Sequence, residues 1–150
     1  MNDKKALIVV SNTTKFPNMA VPTGFWFSEV SHFYDELVNN GWAVDMVSPK
    51  GGYCPIEPKS IDGQWMSECD WKNLADPVFQ RKISQSFKPS DIKPEDYKVI
   101  YFAGGHGTVY DFYESGEIHQ LAAKIYENGG IVSAVCHGPV ALINLKLSNG

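Results

Sequence analysis

Cys136 sits between an apolar run, Ile131 to Val135, and the tripeptide His137-Gly138-Pro139. A thiol one residue past a strand and just ahead of a helix feels the positive end of the helix dipole, which favours the nucleophilic thiolate. Gly138 and Pro139 are read as the opening of that helix, Pro139 suiting a first-turn position that needs no N–H. The pattern Ala134-x-Cys136-x-Gly138 imitates the G-x-S-x-G elbow, where small flanking residues permit the tight turn that exposes a nucleophile. His137 follows at once and is the candidate base.

Two further groups complete a candidate site. Glu29 is read onto the second turn of a helix beginning at Gly24, flanked by Phe25, Trp26 and Phe27. Apolar surroundings raise a carboxyl pKa, and a protonated carboxyl can donate a hydrogen bond to a thiolate. Gly104-Gly105-His106-Gly107 lacks the spacing of a phosphate cradle or dinucleotide fingerprint. Its backbone at Gly104, Gly105 and His106 is the expected substrate pocket and oxyanion site, and the N–H groups of Gly105 and His137 could hold the oxyanion together. Each residue also has a plainer reading: a packed cysteine, a structural histidine, a solvated glutamate, a strand-ending turn. What separates the readings is whether three distant loops meet. His106 and His119 fall on different elements, so no metal site is expected. Cys54 and Cys69 have no activating context and are read as bystanders.

The elements that would bring these loops together follow from periodicity. Ala6 to Ser11 is a short buried strand. Phe27, Val30, Tyr34, Leu37 and Val38 share one helical face, and Asn40-Gly41 supplies the stop. Ala43 to Ser48 is a second strand, and strand, helix, strand in that order argues for a parallel sheet with right-handed crossovers. Val99 to Ala103 and Ile131 to Val135 read as further strands around a helix that Ser115 or Gly116 starts and Gly129-Gly130 ends. A last apolar helix is expected over Val140 to Leu147. In open parallel sheets, ligands bind beyond the carboxyl ends of the strands, where the unusual residues of this chain lie.

Residues 50–96 differ from the rest. They hold five of the nine prolines, Trp65 and Trp71, and one convincing short helix near Asp76 to Ser84. An insertion or lid is expected there, within a single domain spanning 1–150. The bulk numbers agree with one domain: 150 residues, 43% of them apolar. A net charge of -4 leaves no basic stripe for nucleic acid or an anionic membrane, so small molecules or proteins are the expected partners. The first apolar run is too short for a signal core or a membrane span, and three cysteines without framework spacing fit a reducing compartment; a cytosolic address is expected.

Three segments resemble the ThiJ/PfpI superfamily, in its order: Pro22 to Glu29, Ala103 to Gly107 with Asp111, and Ala134 to Pro139. The similarity runs through the whole chain, and the branch of glutathione-independent glyoxalases and heat-inducible chaperones fits best. The resemblance implies a flavodoxin-like α/β fold, a parallel sheet sandwiched by helices. It also implies Cys136 as nucleophile, Glu29 as the carboxyl contacting it, and His137 as base. The implied reaction converts methylglyoxal, a 2-oxoaldehyde, to lactate without any cofactor, and a homodimer is implied as well. Rival readings on the same fold are a cysteine amidase or peptidase like the class I glutamine amidotransferases, and a non-enzymatic chaperone or oxidant sensor. Family members continue past the elbow with further strands and helices, whereas this sequence stops at Gly150. A chain lacking the C-terminal part is therefore expected, with any acid that supports His137 lying beyond it.

Overall fold

The computed structural model describes residues 4–150. Four strands, β1 (Lys5–Val9), β2 (Ala43–Val47), β3 (Val99–Phe102) and β4 (Ile131–Ala134), form one sheet in the order β2-β1-β3-β4. Every pairing is parallel, with Leu7 opposite Ile100 and Ile100 opposite Val132. The uninterrupted apolar run of β1 has a direct cause. Leu7 and Val9 pack with Ile100, Phe102, Phe112 and Ile118 on one face, while Ile8 and Val10 pack with Phe25, Phe27, Met46 and Phe79 on the other. A strand buried on both faces has no position left for a polar side chain.

Helix α1 (Phe27–Asn39) lies on the second of these faces and α5 (Gly116–Glu127) on the first; between them come α2 (Glu68–Ala75), α3 (Pro77–Ser84) and the short α4 (Thr108–Asp111). The expected helix from Gly24 begins three residues later than the sequence suggests. Phe25 is extended, bridged in parallel to Ile56, and its N–H donates to the Pro55 carbonyl, so the chain turns helical only at Phe27. Val38, expected on the buried stripe, is exposed. Gly41, at φ 78°, and Gly129, at φ 83°, end α1 and α5 in the left-handed conformation that glycine adopts without penalty. Among the described residues, no helix is long and apolar enough to cross a membrane.

Residues 50–96 are more ordered than expected. Besides α3 they contain α2, whose start is a capping box: the Ser67 hydroxyl accepts from the Asp70 N–H, and the Asp70 carboxylate accepts from the Ser67 N–H at 2.9 Å. Ser67-x-x-Asp70 is a helix-start pattern, but the run behind it carries too few apolar residues to announce a helix. The segment also reaches the core through Cys54, Phe79 and Ile83. Its effect on α1 is direct. Trp26, at the α1 N-cap, has no capping side chain, and the buried Ser60 hydroxyl instead accepts from the Phe27 N–H at 3.0 Å while donating to the Glu57 carbonyl at 2.7 Å.

The expected helix over Val140 to Leu147 is replaced by a five-residue 3-10 turn, Gly138–Leu142. The bonds from Ile143 N–H to the Val140 carbonyl and from Leu145 N–H to the Leu142 carbonyl span three residues, which winds the chain too tightly for an α-helix. So short a turn aligns few peptide dipoles, and the dipole argument for activating Cys136 loses its basis.

Ser60→Ala tests the link between the long segment and α1. It leaves the Phe27 N–H buried without an acceptor and is expected to destabilise the fold by about 1–3 kcal/mol. A lowered urea midpoint with an unchanged m value would show this.

Candidate active site

The turn that carries Cys136 is tight. The Val135 N–H makes the last bond to β3, donating to the Phe102 carbonyl at 3.1 Å, and the Gly138 N–H closes back on the Val135 carbonyl at 2.7 Å. A Cβ on Gly138 would fall 2.3 Å from the Phe102 carbonyl oxygen, so only glycine fits. Cys136 between them has φ 55°, the single non-glycine residue at positive φ among the described residues. Such a conformation costs roughly 1–3 kcal/mol and persists only where the surrounding structure enforces it. Its result is an exposed thiol. Cys54, by contrast, is buried, and burial pushes its thiol up to about 11. Cys69 is half-buried and its pKa is likewise raised by burial.

Glu29 lies on the first turn of α1 rather than the second, because the helix starts at Phe27. Its Oε2 accepts from the Gly104 N–H at 2.7 Å, and its backbone carbonyl accepts from the Tyr101 hydroxyl at 2.9 Å. Burial raises the Glu29 pKa; the Gly104 N–H, the neighbouring Cys136 thiol and the charge of His137 pull the other way. The Tyr101 hydroxyl is raised by burial and by the negative charges of Glu29 and Cys136, which keeps it a neutral donor. Tyr101 escaped the sequence reading because a tyrosine inside an apolar strand looks like core.

Gly104 is where these groups meet. A Cβ there would come within 2.5 Å of Glu29 Oε2, 2.6 Å of Cys136 Cβ and 3.0 Å of the Val135 carbonyl oxygen. Its N–H is committed to Glu29, so Gly104 orients the carboxyl and does not serve an oxyanion. Gly105, at φ 105°, approaches the Gly24 carbonyl so closely that a Cβ would stand 2.4 Å from that oxygen. The Gly107 N–H donates to the same carbonyl at 3.2 Å, and Trp26 N–H donates to the Gly104 carbonyl at 3.0 Å. Three loops from the ends of β1, β3 and β4 are thereby locked together. Among the described residues, the N–H groups of Gly105, His106 and His137 have no protein acceptor.

The histidines divide by environment. The His137 ring is exposed and faces the His106 ring with centroids 5.3 Å apart. His106, expected to act through its backbone alone, also brings its ring to the site: Phe16 flanks it at 5.8 Å, and its Nδ1 lies 3.7 Å from Glu57 Oε2. Glu57 is 2% exposed and accepts from the Thr23 hydroxyl at 2.6 Å. Nothing local to Glu57 announces this role, because the same side chain also caps the short turn that begins at Pro58. His119 is buried in the first turn of α5, bonded to the Phe112 carbonyl at 2.8 Å. No group of three metal-binding side chains occurs among the described residues. Beside Glu29 opens a cavity of 470 Å³ lined by Ser28, His32, Phe33, Tyr101 and Val135.

Comparison with known proteins gives a consistent picture. The profile of the DJ-1/PfpI family matches residues 19–150. A probable glutathione-independent glyoxalase of Saccharomyces cerevisiae is 32% identical over 154 residues, covering 97% of this chain and 64% of the relative. A glutathione-independent glyoxalase of Schizosaccharomyces pombe is 34% identical over 146 residues, covering 95% and 60%. Among solved structures, Rapid Encystment Protein 24 KDa of Francisella tularensis superposes with a TM-score of 0.90 at 36% identity, covering 98% of this chain and 64% of that one. Glyoxalase III of Candida albicans superposes with a TM-score of 0.84 at 26% identity, covering 97% and 62%. This chain thus spans less than two-thirds of the length of these relatives.

Asp111 supports the site without touching it. It accepts from the Ser11 hydroxyl at 3.0 Å and the Asn12 N–H at 2.8 Å, tying the end of β1 to α4. Burial pushes its carboxyl from 3.8 up to about 6, against the pull of these bonds. A folded-state pKa above the unfolded one means the protonated form favours folding. That contribution is complete below pH 3.8 and is lost as pH rises through about 6. Asp111→Asn, which imitates the protonated acid, is expected to lose less stability than the wild type across this window, as read by urea midpoints at each pH.

Proposed function

This chain belongs to the DJ-1/PfpI family, and on that premise we propose that it converts methylglyoxal to lactate without glutathione, through a thiohemiacetal on Cys136. The observation that carries the reading is the exposed Cys136, held at φ 55° against a Glu29 carboxyl whose pKa is raised by burial. Relatives named glutathione-independent glyoxalases support the choice of substrate.

The steps follow from the groups at hand. Cys136 thiolate adds to the aldehyde carbon; a C–S bond forms and the carbonyl π pair moves to oxygen. The N–H groups of Gly105 and His137, free of protein acceptors, hold the new oxyanion. Glu29, protonated, donates to the thiolate before attack and so keeps it in register with the substrate. His137 then takes the proton from the first carbon while Glu29 gives its proton to the second carbon's oxygen, forming the enediol level. His137 returns its proton to the second carbon as the first becomes a thioester carbonyl, and the acid released on hydrolysis restores the Glu29 proton. Water hydrolyses the thioester, releasing lactate and the thiolate. The first carbon is oxidised and the second reduced by two electrons each, so the scheme needs no external oxidant or reductant. An amidase or peptidase reading ranks second because the curated relatives compared above are named glyoxalases.

Cys136→Ala is expected to lower lactate formation from methylglyoxal by roughly three orders of magnitude. Glu29→Gln is expected to lower it by about a hundredfold. An enzymatic lactate assay on purified protein checks both. A Cys136→Ala protein that still makes lactate at the wild-type rate would refute the scheme.

A further inference from the structure

The thioester step needs a base for water, and a second imidazole, His106, stands beside His137 at the site. Of the four histidines, two face a carboxylate. His32 is one, but its Nε2 is taken by Asp70 at 3.0 Å and Ser67 at 2.9 Å, holding α1 to α2. The other is His106. Its Nδ1 looks onto Glu57, its Nε2 has no protein partner among the described residues, its side chain is 46% exposed, and its ring stands beside His137.

We infer that Glu57 and His106 form a carboxylate–imidazole pair that takes the proton from the water hydrolysing an acyl group on Cys136. The buried carboxylate holds the Nδ1–H tautomer and stabilises the imidazolium as it forms, as the acid of a catalytic triad does for its histidine. The Thr23 hydroxyl, donating to Glu57 Oε2 at 2.6 Å, fixes that carboxylate in turn. At 3.7 Å the Nδ1–Oε2 contact is longer than a hydrogen bond, and catalytic contacts of this kind often tighten only when substrate is bound. In the step itself, water oxygen adds to the acyl carbon while its proton passes to His106 Nε2. The C–S bond then breaks, Cys136 leaves as thiolate, and the carboxylic acid departs. The inference rests on the proposed function only for the identity of the acyl group.

The test therefore acylates Cys136 directly with p-nitrophenyl acetate and follows loss of the acetyl group by intact mass. His106→Ala is expected to leave the acylation burst in place and slow deacylation at least about tenfold. It is also expected to erase the rise of deacylation rate with pH expected of the wild type, which a merely structural role would not do. Glu57→Gln is expected to slow deacylation by about threefold or more while Cys136 acylates normally. Deacylation of His106→Ala within twofold of the wild type would overturn the inference. So would a slower reaction that keeps the wild-type pH profile, or a wild-type Cys136 that takes no acetyl group. A wild-type protein that deacylates through His106 yet yields no lactate from methylglyoxal would keep the pair and sink the glyoxalase reading.

Discussion

The absence of a side chain at Gly104 is the constraint on which the site depends. The bond from its N–H to Glu29 Oε2 draws the carboxyl of α1 down to the end of β3. The space its missing Cβ would fill is shared by that carboxyl and by Cys136 Cβ from the end of β4. Two neighbouring strands, β3 and β4, and a helix that follows a third, β1, thus deliver one group each to a single point. The same close approach that lets the carboxyl meet the thiol keeps the carboxyl out of water, and burial is the leading cause of its raised pKa.

The long segment between β2 and β3 sets the other half of the geometry. Pro55 receives the Phe25 N–H, Ser60 caps α1, and Glu57 stands behind His106, all within six residues. Glu29 sits one turn from that cap, so the position of the acid is fixed by residues far from it in sequence. The segment acts as the wall against which the first helix is held. Its aromatic residues divide accordingly: Phe79 stacks edge-on against Phe27 and Tyr34 in the core, while Trp65 and Trp71 stay exposed.

Much of this was legible in the sequence, and the reasons are physical. Strands buried on both faces write continuous apolar runs, so β1 and β3 were readable at once. The glycine stops at Gly41 and Gly129 were readable because few other residues tolerate their φ. The elbow was readable from small residues around Cys136. What failed was whatever depends on distant partners. The start of α1 was missed because Phe25 is held extended by Pro55 and Ile56, the capping box of α2 carried too little apolar signal, and the chain after Gly138 winds into a 3-10 turn that no periodicity announces. Glu57 was invisible for the same reason: the hydroxyl that holds its buried carboxylate belongs to Thr23, thirty-four positions away.

We propose that the backbone at the elbow and the Gly104 turn together make Cys136 the most reactive of the three thiols. Brief treatment with less than one equivalent of iodoacetamide at neutral pH, followed by peptide mapping, tests it most directly. The label is expected almost entirely on Cys136, with buried Cys54 untouched and Cys69 trailing far behind. Labelling of Cys69 as fast as Cys136, or a Cys136 that resists alkylation in the folded protein, would contradict it.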